Sequence, residues 1–181
     1  MALVSVGIWN VARKAQDASS MPVEVVVPTP APADGVPVTG PSGWRLLVAP
    51  AWNSVDVSSP GVEGGWLTGS GTAAFHDNVN VFTEKPKVDL DLGTYVRFSA
   101  EKAPSQIPDV VILSSHLYSD GAHQFARLEY TGTVNGRALH FLGYVVKVQA
   151  RFVVVTYTAP ADTFTSTLPA VEAYLVTLGA Q

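Results

Sequence analysis

The sequence contains no cysteine among its 181 residues. This absence excludes disulfide bonds, thiolate metal sites and cysteine nucleophiles together. It gives no indication of the cellular compartment, because a chain without cysteine suits reducing and oxidising surroundings equally.

Charge is also scarce. Only 14% of the residues are Asp, Glu, Lys or Arg, whereas 47% are hydrophobic, and the formal net charge is −4. The basic residues are scattered singly, apart from Arg13 and Lys14. A nucleic-acid-binding protein would show a basic stripe with exposed aromatic residues, so the composition argues against that class. Length and apolar content together predict one ordered domain with a proper core.

The apolar run at the start of the chain is short. Residues 1–12, MALVSVGIWNVA, end at Arg13 and Lys14, whereas a spanning helix needs about 20 residues. A secretory signal would begin with basic residues and end in a cleavage site. Two interpretations remain: a short helix packed on the domain or a partner, or the last turns of a membrane anchor. The basic pair suits a membrane–water boundary, and Trp9 is the candidate partner contact in this segment.

Residues 21–42 are rich in proline. Proline fixes φ and lacks a backbone donor, so an extended, semi-rigid spacer is expected, with an added strand at 23–27 as an alternative. The sequence therefore predicts three regions: an apolar segment at 1–20, a Pro-rich linker at 21–42 and a folded domain at 43–181.

The first part of the domain reads as a strand followed by a loop. A strand is expected at residues 44–50, and the Gly- and Ser-rich stretch that follows is expected to be a loop. Trp52 and Trp66 are its hydrophobic anchors. Trp66, flanked by glycines, is a candidate partner contact, although anchoring in the core is the favoured role.

The stretch FHDNVNVFTEKP, residues 75–86, has the composition of a metal or catalytic site. However, Asp77, Val79 and Val81 alternate with the polar residues between them, which predicts a half-buried strand with edge asparagines. A calcium loop would need oxygen ligands at alternate positions, a turn glycine and a closing acid. Valines occupy those positions here, so no metal site is predicted.

Residues 125–160 carry the strongest local signal. Asn135 and Gly136 lie between two β-rich runs and predict a type I′ hairpin turn, and a second turn near residues 149–150 completes a three-stranded meander. With two-residue turns, three facing pairs are expected: Tyr130 with Phe141, Thr131 with His140, and Arg127 with Tyr144. Both faces of this meander are mostly apolar, so cover on both sides is predicted.

Two helices supply that cover. The first is expected to follow Asp91 as its N-cap, and the second to run from Phe164 towards the C-terminus. Pro169 is expected in the first turn of the second helix, with Thr167 as its cap.

One polar cluster is expected on the meander. Arg127 and Glu129 share a strand face, and His140 lies across the neighbouring strand. This cluster is either an ion pair satisfied beneath the covering helix or the polar end of a ligand pocket, which Tyr144 would also line. Ser70 lacks the Gly-x-Ser-x-Gly pattern of serine hydrolases, and His116 and His123 lack zinc spacing. No catalytic, cofactor or metal residue is predicted.

The order of elements, with the pieces NVNVFTE, ARLEYTGTVNG and TYTAPADTFTSTLPAVEAYLVTL, resembles the PsbP-like superfamily, especially the actinobacterial LpqN- and LpqT-type envelope proteins. The resemblance covers residues 43–180. It implies an α+β fold, an antiparallel sheet sandwiched between helices, and accessory functions without shared catalytic residues. The chain lacks the lipobox cysteine of a lipoprotein.

Three functions follow as hypotheses. The first is a membrane-tethered, non-enzymatic accessory domain that binds a larger integral membrane or envelope complex. The second is a carrier of a small amphiphile such as a lipid, and the third is a small hydrolase. An extracytoplasmic location follows from the resemblance, although the basic pair Arg13 and Lys14 favours the opposite side.

Overall fold

The computed structural model describes residues 21–27, 30–72, 75–121 and 123–180. The main sheet has eight strands, which in chain order are β1 (Val23–Val25), β4 (Asn53–Ser54), β5 (Val62–Thr72), β6 (Phe75–Glu84), β7 (Val111–Ser119), β8 (Gln124–Val134), β9 (Arg137–Val148) and β10 (Arg151–Pro160). Their order in the sheet is β1-β7-β8-β9-β10-β6-β5-β4, and neighbouring strands are antiparallel except that β1 runs parallel to β7.

A smaller sheet and two helices complete the described part of the chain. The smaller sheet has the order β11-β3-β2, formed by β2 (Val36–Thr39), β3 (Trp44–Val48) and β11 (Gly179–Ala180). The helices are α1 (Leu92–Lys102) and α2 (Phe164–Leu175). The fold is therefore α+β, as predicted.

The predicted meander is confirmed. Asn135 and Gly136 have φ of 51° and 74°, which is the left-handed backbone that a type I′ turn requires. All three expected pairs form, including Arg127 opposite Tyr144. The turn fixes the register, and the register fixes which side chains share a face.

Each face of the main sheet is buried under its own layer. The helix α1 packs on one face, with Tyr95 stacked on Phe152 at 3.9 Å between ring centroids. The helix α2 and β3 pack on the other face, where Phe164 is 1% exposed. The N-cap of α1 is Asp91, which accepts from the Thr94 amide at 2.8 Å. The sheet is thus sandwiched as its two apolar faces predict.

The loop predicted before residue 75 is wrong, because most of it forms β4 and β5. The glycines that favoured a loop instead make room for tryptophan rings. A Cβ at Gly64 would lie 2.6 Å from the Trp66 ring, so the strand needs glycine there. The sequence 75–84 is also more buried than predicted: β6 is a central strand, so Asn78 and Asn80 lie in the interior, not at an edge.

Two further expectations differ from the structure. The Pro-rich segment is not a free spacer throughout: the alternative, a strand at 23–27, forms in part as β1, which pairs with β7, and β2 pairs with β3. Their partner strands offer open edges, and the extended backbone that proline favours fits such an edge. The helix α2 begins at Phe164, where the helical spacing of apolar residues starts, but Pro169 lies inside the helix and Thr167 is not its cap.

Candidate functional site

The predicted polar cluster forms on the α2 face of the sheet. Arg127 Nη1 donates to Glu129 Oε2 at 2.7 Å, and His140 Nε2 lies 2.9 Å from Glu129 Oε1. The side chains of Arg127 and Glu129 are each 20% exposed, and that of His140 is 13% exposed. The His140 ring stacks on Phe164 with 3.6 Å between centroids. The hairpin register brings these residues together as the sequence predicts.

Glu172 of α2 completes the cluster and was missed in the sequence. Its Oε1 accepts from Arg127 Nε at 3.0 Å and from the Tyr144 hydroxyl at 2.7 Å. The helical spacing contained the signal, because Glu172 follows Leu168 by four residues and so shares its apolar, sheet-facing side. We call Arg127, Glu129, His140, Tyr144 and Glu172 the polar cluster.

Hydrogen bonding within the polar cluster keeps the Arg127 guanidinium charged and paired. Burial alone would lower the pKa of Arg127, but the hydrogen bonds to Glu129 and Glu172 outweigh it and raise that pKa. Burial, assisted by the Glu172 carboxylate, raises the pKa of Tyr144, so its hydroxyl remains a donor. The guanidinium also contacts the Ser114 hydroxyl at 3.3 Å. The carboxylates thus serve as counter-ions of Arg127.

A groove opens beside the polar cluster. Its volume is about 320 Å³, and we call it the α2 groove; it is lined by Val26, Val27, Tyr118, Asp120, Phe125, Arg127, Tyr144, Glu172 and Val176. It continues into a second depression of about 680 Å³ through the shared residues Asp120, Phe125 and Val176.

Aromatic rings form one wall of the α2 groove. Tyr118, Phe125 and Tyr144 follow each other with centroid distances of 5.3 and 5.9 Å. The rings of Tyr118 and Phe125 are half-buried. An apolar wall and a charged base therefore meet in one open surface.

The other predicted contact residues lie elsewhere. Trp66 is on β5 with 8% exposure, packed in the same core as Trp44. Its flanking glycines belong to a strand, which leaves its ring in the favoured anchoring role. Trp9 lies outside the described residues, so its role as a partner contact stays a prediction.

The residues of the stretch 75–86 that suggested a metal site point in different directions. Glu84 accepts from the Tyr95 hydroxyl under α1 at 3.2 Å, whereas Asp77 accepts from the Tyr157 hydroxyl under α2 at 3.0 Å. His76 is exposed. Across the described residues, no group of three or more His, Asp or Glu side chains is placed to hold a metal ion.

We expect Asp77→Asn to stabilise the protein at neutral pH. Burial raises the pKa of Asp77 above 3.8, and hydrogen bonding from Tyr157 offsets this only in part. The folded state thus binds the Asp77 proton more tightly than the unfolded chain, so wild-type stability falls as the pH rises from 3.8 through the folded pKa. Because asparagine carries no charge to bury, the melting temperature of the Asp77→Asn variant at neutral pH should be a few degrees above that of the wild type.

This gain should disappear well below pH 3.8, where the Asp77 carboxyl is protonated in both the folded and the unfolded state. Thermal melts of wild type and variant across this range measure the effect. Asp89→Asn is the matched control, because the Asp89 side chain is 87% exposed. An equal gain at acid and neutral pH would show that the buried charge is not its cause.

Known structures share this fold. Cyanobacterial PsbP (CyanoP) from Synechocystis sp. PCC 6803 matches with a TM-score of 0.61 at 16% identity, over 83% of this chain and 95% of that one. LpqN, a protein involved in cell envelope biogenesis of Mycobacterium tuberculosis, matches with a TM-score of 0.55 at 17% identity, over 80% and 83% of the two chains. A Pseudomonas aeruginosa protein of unknown function, PA94, gives 0.55 at 17% identity, over 76% and 91%.

The chain therefore has the PsbP-like fold, as the sequence resemblance predicts, with LpqN among its structural neighbours. No protein-family model and no curated protein matches the sequence. Within the described ranges, neither helix is long and apolar enough to cross a membrane.

Proposed function

We propose that this chain is a non-catalytic accessory module that binds a larger membrane or cell-envelope protein through the α2 groove. The observation that carries the proposal is the groove itself, in which half-buried aromatic rings adjoin a cluster whose charged groups are hydrogen-bonded to one another. A paired cluster of this kind can orient a partner. Its carboxylates are engaged by Arg127, which suits recognition better than proton transfer.

The composition of the groove suits a protein partner. Tyrosine, phenylalanine and arginine are the residue types that concentrate at the centres of protein interfaces. Tyr118 and Phe125 present such rings, and Arg127 lies below them. Val27 at the rim is 89% exposed, so apolar surface continues outward from the groove.

The charge of the groove indicates what the partner segment carries. Asp120 and Glu172 line the groove with Arg127 as the one guanidinium, and Glu129 adjoins them. Carboxylates thus outnumber the guanidinium, on a chain whose net charge is −4. The expected occupant is an extended segment of the partner with apolar and basic side chains.

The fold and the start of the chain support the same function. PsbP-like resemblance implies accessory roles, and LpqN is a protein of cell envelope biogenesis. The apolar residues 1–12 would bring the domain to a membrane, followed by the Pro-rich segment. An envelope location, with the domain outside the cytoplasm, belongs to this proposal.

Site-specific photocrosslinking in native membranes tests the proposal. A photoreactive residue at position 125, in the full chain, is expected to crosslink an integral membrane or envelope protein. The same residue at position 75 is the matched control, because Phe75 is a half-buried phenylalanine that packs with the core cluster on the other face. Mapping of the crosslinked peptide should give a basic, apolar segment.

Charge variants at the rim sharpen the test. Val27→Lys should weaken crosslinking from position 125 by repelling a basic segment, whereas Val27→Asp should not. Equal crosslinking from positions 125 and 75, or recovery of the native protein alone in the soluble fraction, would overturn the proposal.

The groove also favours a second candidate, a carrier of a small amphiphile. The α2 groove has a volume of about 320 Å³ and is continuous with a depression of about 680 Å³. Both volumes fall in the range typical of small-ligand sites, about 300–1,000 Å³. Native mass spectrometry of the protein purified from its own host would then show an added lipid mass, lost in Phe125→Ala. A lipid mass without a protein crosslink favours the carrier, and the reverse favours the accessory module.

A further inference from the structure

A row of four residues crosses the centre of the main sheet on the α1 face. Gly65 of β5 lies beside Asn80 of β6, which lies beside Thr156 of β10, which lies beside Gly143 of β9. Directly paired residues share a face, so the two polar side chains lie between two positions without side chains. Most of the other residues on this face are apolar, and the face is packed under α1.

Polar atoms in this row have no protein partner. Asn80 is 0% exposed, and among the described residues neither its Oδ1 nor its Nδ2 has a hydrogen-bond partner. One step along the same two strands, Asn78 Oδ1 and Thr158 Oγ1 are buried and unpaired as well. Buried polar groups without partners are costly, so native proteins satisfy them with protein groups or ordered water.

A small cavity lies next to this row. Its volume is about 30 Å³, and Thr156 and Gly143 line it from the sheet while Val96 and Ser99 line it from α1. All of its lining residues are uncharged. A cavity of this size holds one or two water molecules and is far too small for an amphiphile.

Gly143 keeps this space open. A Cβ at Gly143 would have its nearest neighbours at 3.7, 3.8 and 3.9 Å, which is ordinary contact. Its backbone is not in the left-handed region that favours glycine. Neither backbone geometry nor crowding therefore requires glycine, and its effect is to leave room beside Thr156.

We propose that this cavity is a built internal site for one or two water molecules, held between Thr156 and the helix α1 and extending to the unpaired amide of Asn80, which lies beside Thr156. The ligand class is a small, uncharged molecule that both donates and accepts hydrogen bonds, because the Asn80 amide offers one group of each kind. The site is independent of the α2 groove, which lies on the opposite face of the sheet.

Gly143→Ala tests the site, because the added methyl fits the protein but takes the space of a water molecule. An unstrained Gly→Ala change normally stabilises a protein by restricting the unfolded chain. Here the melting temperature should instead fall by about 2–4 °C, the shift that one lost hydrogen bond produces in a chain of this size. Gly179→Ala is the matched control, since a Cβ there also meets only ordinary contacts, and it should not lower the melting temperature.

Water–amide cross-relaxation in the ¹⁵N-labelled full chain gives the second readout. Long-lived water should be detected at the amides of Gly143 and Val145 in the wild type and in Gly179→Ala, and it should be lost in Gly143→Ala. If Gly143→Ala does not fold, Thr156→Val is the second test of the water site. The water–amide signal at Gly143 and Val145 should weaken in this variant, because the Thr156 hydroxyl is removed. Absence of the signal in the wild type, or a Gly143→Ala protein that is more stable, would overturn the proposal.

Discussion

Replacing Phe164 with alanine is expected to lower the free energy of unfolding by about 3–5 kcal/mol, the range for large buried aromatic residues. Phe164 opens α2, is 1% exposed, and stacks on both His140 and Tyr157. Its removal leaves a cavity between α2 and the sheet that those rings cannot fill without moving. Chemical denaturation of wild type and variant measures the loss.

Phe125→Ala is the matched control for this prediction. The Phe125 ring is half-exposed in the α2 groove, so its truncation removes less buried surface and should cost clearly less than the Phe164 change. Equal losses for the two variants would mean that α2 does not cover the sheet as described.

Replacing Arg127 with methionine is expected to cost about 2 kcal/mol of stability. The substitution leaves Glu129 and Glu172 close together without the guanidinium that joins them. Their side chains are 20% and 31% exposed, so solvent softens the penalty below that of a fully buried pair. Adding Glu172→Gln should recover part of the loss, because it removes one of the two negative charges that have lost the guanidinium.

Asp89→Asn is the matched control for this second prediction. It removes one charge of the pair between Lys147 and Asp89, and the Asp89 side chain is 87% exposed. Exposed pairs contribute about 0–1 kcal/mol, so this variant should remain close to wild type. If Arg127→Met is equally mild, the polar cluster is a surface network without structural weight.

The hairpin register was predictable because its determinants are local. Asn135 and Gly136 fix a two-residue turn, and every later pair on β8 and β9 follows from it. The register alone places Arg127, Glu129 and His140 in one cluster. The two-sided burial was likewise predictable from apolar residues on both faces.

The errors arose where tertiary packing overrides local chemistry. The glycines of β5 indicate a loop when read alone, yet Gly64 is required by the Trp66 ring that lies against it. In the same way, Pro169 indicates the first turn of a helix, yet it lies inside α2, which begins at the buried Phe164. In both cases the packing of buried rings between the layers decides the local structure, and the composition of one segment does not reveal that packing.

The site was predictable only in part for a related reason. The strands supply Arg127 and Glu129 of the polar cluster, but the helix α2 supplies Glu172. The α2 groove in turn exists because the segment at Val26 and Val27 lies beside the hairpin of β7 and β8. Residues 21–42 were expected to be a spacer. Their docking on the domain creates one wall of the proposed binding surface.

The central claim is that both faces of the main sheet are covered and that the α2 groove is the binding surface. Hydroxyl-radical footprinting of the protein, with and without native membranes, is its most direct test. We expect Phe152 and Phe164, one on each face, to stay unmodified throughout. Tyr118 and Phe125 should be modified in the free protein and protected when the native membrane partner is present. Modification of Phe152 or Phe164 in the folded protein, or groove rings that react equally in both preparations, would contradict the account.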